Sequence, residues 1–95
     1  MGILAVAIKL EVLREKARVA TREALRQCPA IPEHFRENLT LGVLFDDEAR
    51  VFELYVARER PGDALVLTRV TANSKTGELS PVEVYPERWS TESTD

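Results

Sequence analysis

Residues 3–12 read ILAVAIKLEV, a run that fits a β-strand and a helix equally well on first inspection. With period two, Leu4, Val6, Ile8, Leu10 and Val12 alternate with Ala5, Ala7, Lys9 and Glu11; with period 3.5, Ile3, Val6, Leu10 and Leu13 form one stripe. The residues beyond decide between them. Ala17, Ala20 and Ala24 continue the second series in register, and LREKARVATREALRQ contains no Gly, Pro, Asn or Asp at which a strand could turn into a following helix. Its Ala, Leu, Arg, Glu and Lys favour helix. One uninterrupted rod over residues 3–28 is therefore predicted, stopped by Pro29, which lacks an N–H and pushes the residue before it out of helical space. Extended backbone anywhere between Leu4 and Val12 would, on this reading, overturn the architecture and every surface assignment drawn from it.

From Leu39 onward, β-branched and aromatic residues cluster into short runs separated by turn signals, the pattern of an antiparallel meander. Four strands are predicted, over residues 39–45, 50–58, 64–72 and 79–85. Pro61-Gly62 suits the centre of a type II turn between the second and third. Gly77, in NSKTGE, stands where a hairpin loop needs a left-handed residue. Pro81 cannot donate to a ladder, which puts the fourth strand at a sheet edge. Residues 1–89 are read as one domain and the polar residues 90–95 as a flexible tail. The fold class is α+β, one long N-terminal helix packed on a four-stranded antiparallel meander in the order α-β-β-β-β.

That order resembles the cystatin-like and NTF2-like group, and the hairpin VTANSKTGELSPVEV (70–84) resembles the strand, T-G-E turn, strand of small bacterial domains, immunity proteins of toxin systems among them. The likeness spans that hairpin only. It carries over no functional residue.

Composition narrows the chemistry. With 44% apolar and 31% charged residues, the 95-residue chain reads as globular and soluble. One cysteine, Cys28, allows no internal disulfide, so a reducing setting, the cytoplasm, is expected. The opening ILAVAI lacks a basic flank and is too short to span a bilayer, so no membrane role is expected. A net charge of -3 argues against nucleic acid. One cysteine and one histidine cannot build a structural zinc site, and no Gly-rich phosphate loop is present, so no cofactor is expected. Cys28 and His34 would make a poor nucleophile pair, because a helix C-terminus raises a thiol pKa. Asp46, Asp47 and Glu48 match no calcium loop and read as a solvated turn.

Three surfaces remain. Arg14, Arg18, Arg22 and Arg26 recur every four residues, a ridge expected on the helix flank opposite the sheet, where Glu11, Glu15 and Glu23 each precede an arginine by three. Such a ridge is either solvated surface or a landing strip for an acidic partner. Leu4, Ile8, Val12 and Val19 form a second apolar side of the helix, covered either by a bent sheet or by a second copy as a dimer contact. Strand alternation places Phe52, Leu54, Val56, Val66, Val70, Val82 and Val84 on the inner sheet face, with Leu41, Val43 and Phe45. It leaves Tyr55, Leu65, Leu67, Arg69, Glu83 and Tyr85 on the outer face with Trp89 nearby, a composition like that of binding hot spots. The leading expectation is a non-enzymatic protein-binding module using that face, such as an immunity-type inhibitor of a bacterial toxin. Two alternatives stand beside it: an NTF2-like small-ligand binder or enzyme with Glu53 or Glu83 as a buried general base, and a self-associating, secretion-chaperone-like dimer.

Overall fold

The computed structural model describes residues 8–90. Helix α1 spans Leu10–Leu25 and the single turn α2 spans Glu33–Arg36. Strands β1 (Leu39–Asp46), β2 (Ala49–Val56), β3 (Leu65–Asn73) and β4 (Glu83–Val84) follow, and the short helix α3 (Glu87–Ser90) closes the described chain. The strands form one antiparallel sheet in the order β1-β2-β3-β4, so the α-β-β-β-β meander is the fold.

The helix is shorter than its sequence pattern. Lys9 is extended (φ -60, ψ 142), and the Ile8 N–H donates to the Ser74 carbonyl (2.8 Å) in the β3–β4 loop. A backbone N–H spent on the hairpin cannot serve inside a helix that began at residue 3, and Lys9 is extended, so the predicted rod fails at Ile8 and Lys9; residues 3–7 lie outside the described residues. At the other end, Arg26, Gln27 and Cys28 donate to Glu23, Ala24 and Leu25, a tightened last turn that ends the α-helix before Pro29. The architecture survives because burial rests on Leu13, Ala17 and Thr21, all inside the observed helix.

Ala17 and Ala72 are both fully buried in the cluster through which the helix meets β3. Leu13, Ala17, Phe52, Val70 and Ala72 form the first core cluster, with Ile8, Leu10, Leu41, Val43, Leu79 and Val82 around it. Phe35, Val56, Leu67 and Trp89 form the second, under Leu25, Cys28, Ile31, Leu39, Leu65 and Val84. Each fully buried Val or Leu contributes about 1.5–3 kcal/mol relative to exposure.

One turn and the fourth strand differ from simple expectation, and the turn at Gly77 matches it. Gly62 does not take positive φ; Pro61–Asp63 is a 3₁₀ turn closed by Asp63 N–H to the Arg60 carbonyl (2.9 Å), so the type II expectation fails. Proline fits the first central position of either turn, and glycine permits positive φ without requiring it. The predicted fourth strand is broken: Leu79 bridges Ala72, Ser80 pairs with Thr71 through both its N–H and its hydroxyl, and ladder pairing resumes only at Glu83 beyond Pro81. It lies at the sheet edge, as proline requires. Gly77 has φ +80; a Cβ there would stand 2.8 Å from Ile8 Cδ1, and the Gly77 carbonyl accepts from Lys16 Nζ.

Gly77→Ala combines a left-handed backbone with a side-chain collision, and we expect a loss of about 1–3 kcal/mol in urea denaturation. Thr68 is fully buried and its hydroxyl has no hydrogen-bond partner. Thr68→Val removes that unsatisfied group and is expected to stabilise by about 1 kcal/mol, read as a higher urea midpoint at unchanged slope.

Candidate functional site

A bulge in β3 decides which residues the outer face presents. Pairing with β2 runs Phe52↔Val70, Glu53↔Arg69 and Leu54↔Thr68, then resumes at Tyr55↔Val66 and Val56↔Leu65, leaving Leu67 unpaired. One extra residue reverses the facing of everything beyond it. Leu67 is buried in the second cluster, Leu65 packs against that cluster, and Val66 crosses to the outer face beside Tyr55. The expected placements of Leu65, Leu67 and Val66 are therefore all reversed. Ala64–Leu67 are four consecutive apolar residues, so polarity does not mark which of them face the core, and the bulge leaves no sign in ALVLTRVTA.

Trp89 is also inside, 1% exposed, with its indole N–H donating to the Pro29 carbonyl (3.0 Å). Pro86 starts a turn, closed by Trp89 N–H to its carbonyl, that folds the ring back over Phe35 and Leu67. A buried indole needs an acceptor, and the chain leaving α1 supplies one. Phe45 departs in the other direction. Its β1 parity is inner, but it lies beyond the core and is 63% exposed, with the Arg50 guanidinium stacked 4.4 Å from its ring centre. Phe52, Val56 and Val70 are buried where alternation put them, while Leu41, Val43, Val82 and Val84 pack half-buried against the clusters.

Four of the seven expected binding residues do share the outer face: Tyr55, Arg69, Glu83 and Tyr85. Register sets Gly42, Glu53, Arg69 and Glu83 in one row across all four strands. Arg69 Nε donates to Glu53 Oε2 at 2.9 Å, and its Nη2 forms an ion pair with the same oxygen at 2.7 Å. Tyr85 donates its hydroxyl to Glu83 (2.7 Å), and the Arg88 guanidinium lies 4.3 Å over the Tyr85 ring while donating to the Val66 carbonyl. Tyr55 lies across Gly42, where a Cβ would meet Tyr55 Cε1 at 2.9 Å, so the glycine makes room for the ring. Leu44 (55% exposed), Val51 and Val66 complete an apolar margin, and a shallow groove of ≈ 530 Å³ runs past Gly42, Leu44, Glu53, Tyr55, Arg58 and Val66. Gly42, Leu44, Val51 and Arg88 were absent from the sequence reading; cross-strand register, not composition, brings them in.

Glu53 lies at this groove with its carboxylate held by Arg69, and exposed Glu83 is held by Tyr85, so neither stands in an enclosed cavity as a free base. The Glu53 carboxylate raises the Arg69 pKa by accepting its hydrogen bond. Glu83 likewise raises the Tyr85 pKa, because its charge and its hydrogen bond both favour the neutral phenol.

The other expected sites are placed as follows. Cys28 is half-buried and its thiol donates to the Ala24 carbonyl at 3.6 Å; exposed His34 packs edge-on against Phe35. Asp46, Asp47 and Glu48 are exposed, Asp47 takes φ 58 in the hairpin, and Glu48 pairs with Lys75 (3.0 Å). Among the described residues no group of three or more His, Cys, Asp or Glu could hold a metal ion, and no helix is long and apolar enough to cross a membrane. In the possible dimer stripe Leu4 lies outside the described residues, Ile8 turns inward to the first cluster, and Val12 and Val19 are 47% and 43% exposed. The helix starts too late for Ile8 to share their face. In comparisons with known proteins, the chain matches no protein family, no curated sequence and no solved structure.

The Tyr85 shift has a definite sign. Folding holds the phenol proton to higher pH, so its stabilising contribution is complete below the ordinary tyrosine range and is lost as pH rises through the raised folded value. In a Tyr55→Phe background, where Tyr85 is the sole tyrosine, phenolate absorbance should titrate late; adding Glu83→Gln should bring the midpoint down.

Proposed function

We propose that the chain is a non-enzymatic protein-binding module that docks a partner on the outer face of its sheet, in the manner of an immunity-type inhibitor of a bacterial toxin. The observation that carries this reading is the pre-organised row on that face. Glu53–Arg69 and Glu83–Tyr85–Arg88 are held in fixed positions by ion pairing, hydrogen bonding and ring stacking, and no described element packs over them. Groups already fixed lose little side-chain entropy on binding, which raises affinity for a given area. Arg and Tyr beside apolar Leu44, Val51 and Val66 are the residue types that dominate interface energetics. The T-G-E hairpin's resemblance to small bacterial immunity domains supports the choice of partner class.

Leu44→Asp together with Tyr85→Ala changes two side chains outside the core, so the variant should keep its circular dichroism spectrum and urea midpoint within about 0.5 kcal/mol. Partner capture from the native organism, quantified by mass spectrometry, should fall about tenfold or more, corresponding to at least about 1.4 kcal/mol. Val12→Asp, on the exposed helix face, should leave it unchanged. Equal capture by all three proteins removes the sheet-face reading.

A further inference from the structure

The opposite face of the sheet is only part-covered, and what is left open has a definite chemistry. Helix α1 lies over β3, so the inner side of β1 and β2 keeps an apolar floor of Leu39, Leu41 and Leu54, walled by Leu25 of the helix, in a groove of ≈ 520 Å³. Arg18, Arg22 and Arg36 line it. The arginine ridge therefore borders this groove instead of standing opposite the sheet, and Arg14 confirms its direction by donating to the Leu41 carbonyl at 2.8 Å.

Three observations define the occupant. First, the chain has more acids than bases, 16 against 13, yet no carboxylate lines the groove. Arg18 is paired with Glu15 in an exposed bridge, and Arg22 adds only a longer-range pull on the same carboxylate; among the described residues the Arg22 and Arg36 guanidinium groups make no ion pair or hydrogen bond. Second, the wall beside the arginines offers hydrocarbon: Thr21 is 4% exposed and its hydroxyl is enclosed within the protein. Third, Arg14 donates to the Leu41 carbonyl of edge strand β1 and so takes one of the acceptors that an added strand would need. A groove of this size with an apolar lining and a few convergent polar groups fits a small ligand.

We propose that this groove binds an aliphatic carboxylate, its chain laid over the four leucines and its head group held by Arg22 and Arg36. Guanidinium and carboxylate form paired, charge-assisted bonds, and the leucines supply non-directional burial for the alkyl chain. The site is on the inner side of the sheet, separate from the outer face and independent of its partner.

The test uses the full chain and decanoate below its micelle concentration, followed by amide and methyl NMR shifts. Support consists of saturable shifts confined to Thr21, Leu25, Leu39, Leu41 and Leu54, with decanoate binding about tenfold or more tighter than decanol or decyltrimethylammonium. Arg22→Glu with Arg36→Glu should abolish the shifts while circular dichroism stays unchanged, and Arg22→Gln with Arg36→Gln should weaken them by about tenfold or more. The proposal is overturned by equal affinity for decanol, by shifts centred on Tyr55 and Arg69, by retained binding in the charge-reversed variant, or by no shift at millimolar decanoate. It is overturned too if light scattering shows a dimer whose interface closes the groove. Leu44→Asp should leave decanoate binding unchanged, so failure of the outer-face reading and failure of this one are separable.

Discussion

The structure depends on how closely α1 can approach β3. The buried stripe of the helix is three residues long, Leu13, Ala17 and Thr21, and its central member meets a sheet carrying Ala72. Two alanines at such a contact shorten the distance between layers and increase dispersion contact per unit area. The same narrowness limits coverage. A stripe of this width screens β3 and the middle of β2, where Val70, Ala72 and Phe52 are buried, and leaves Leu39, Leu41 and Leu54 half-buried toward the open edge. The groove is thus a direct result of a tight but narrow contact.

The loop after β3 is the second constraint. It receives the Ile8 N–H at Ser74, the Lys16 ammonium at Gly77 and, through Ser74 N–H, the Glu48 carbonyl of the β1–β2 hairpin. Asn73 organises it from within, its side-chain oxygen accepting from Lys75 and Thr76 N–H groups. One loop thereby ties the start of the helix to both hairpins. Ile8 fills the space that the missing Cβ of Gly77 leaves, so a bulkier residue at position 77 would disturb turn and helix start together.

The two sheet faces acquire different characters from the bulge at Leu67. Before it, β3 contributes Leu65 inward; after it, Val70 and Ala72. With Leu67 and Thr68 both fully buried, the strand gives two successive residues to the inner side. The local twist that accompanies a bulge leaves Val66 and Arg69 as β3's outer contribution in that region, where Arg69 reaches Glu53 and Val66 borders Tyr55. A sheet face with its charges already paired can meet a partner without first breaking contacts of its own.

Sequence alone determined the helix-then-meander order, the extents of β1 to β3 to within two residues, the edge position of the fourth strand and the left-handed turn at Gly77, because each is set by periodicity, proline or glycine within a few neighbouring residues. It also determined the i,i+3 pairing of Glu15 with Arg18 and of Glu23 with Arg26. Tertiary structure decided the rest. The helix start was set by a hydrogen bond from Ile8 to a residue far along the chain, the burial of Trp89 by a carbonyl at Pro29, and the facing of Leu65, Val66 and Leu67 by a register shift against β2. These outcomes depend on partners distant in sequence, and a local pattern holds no record of which distant group will satisfy a donor or absorb an extra residue.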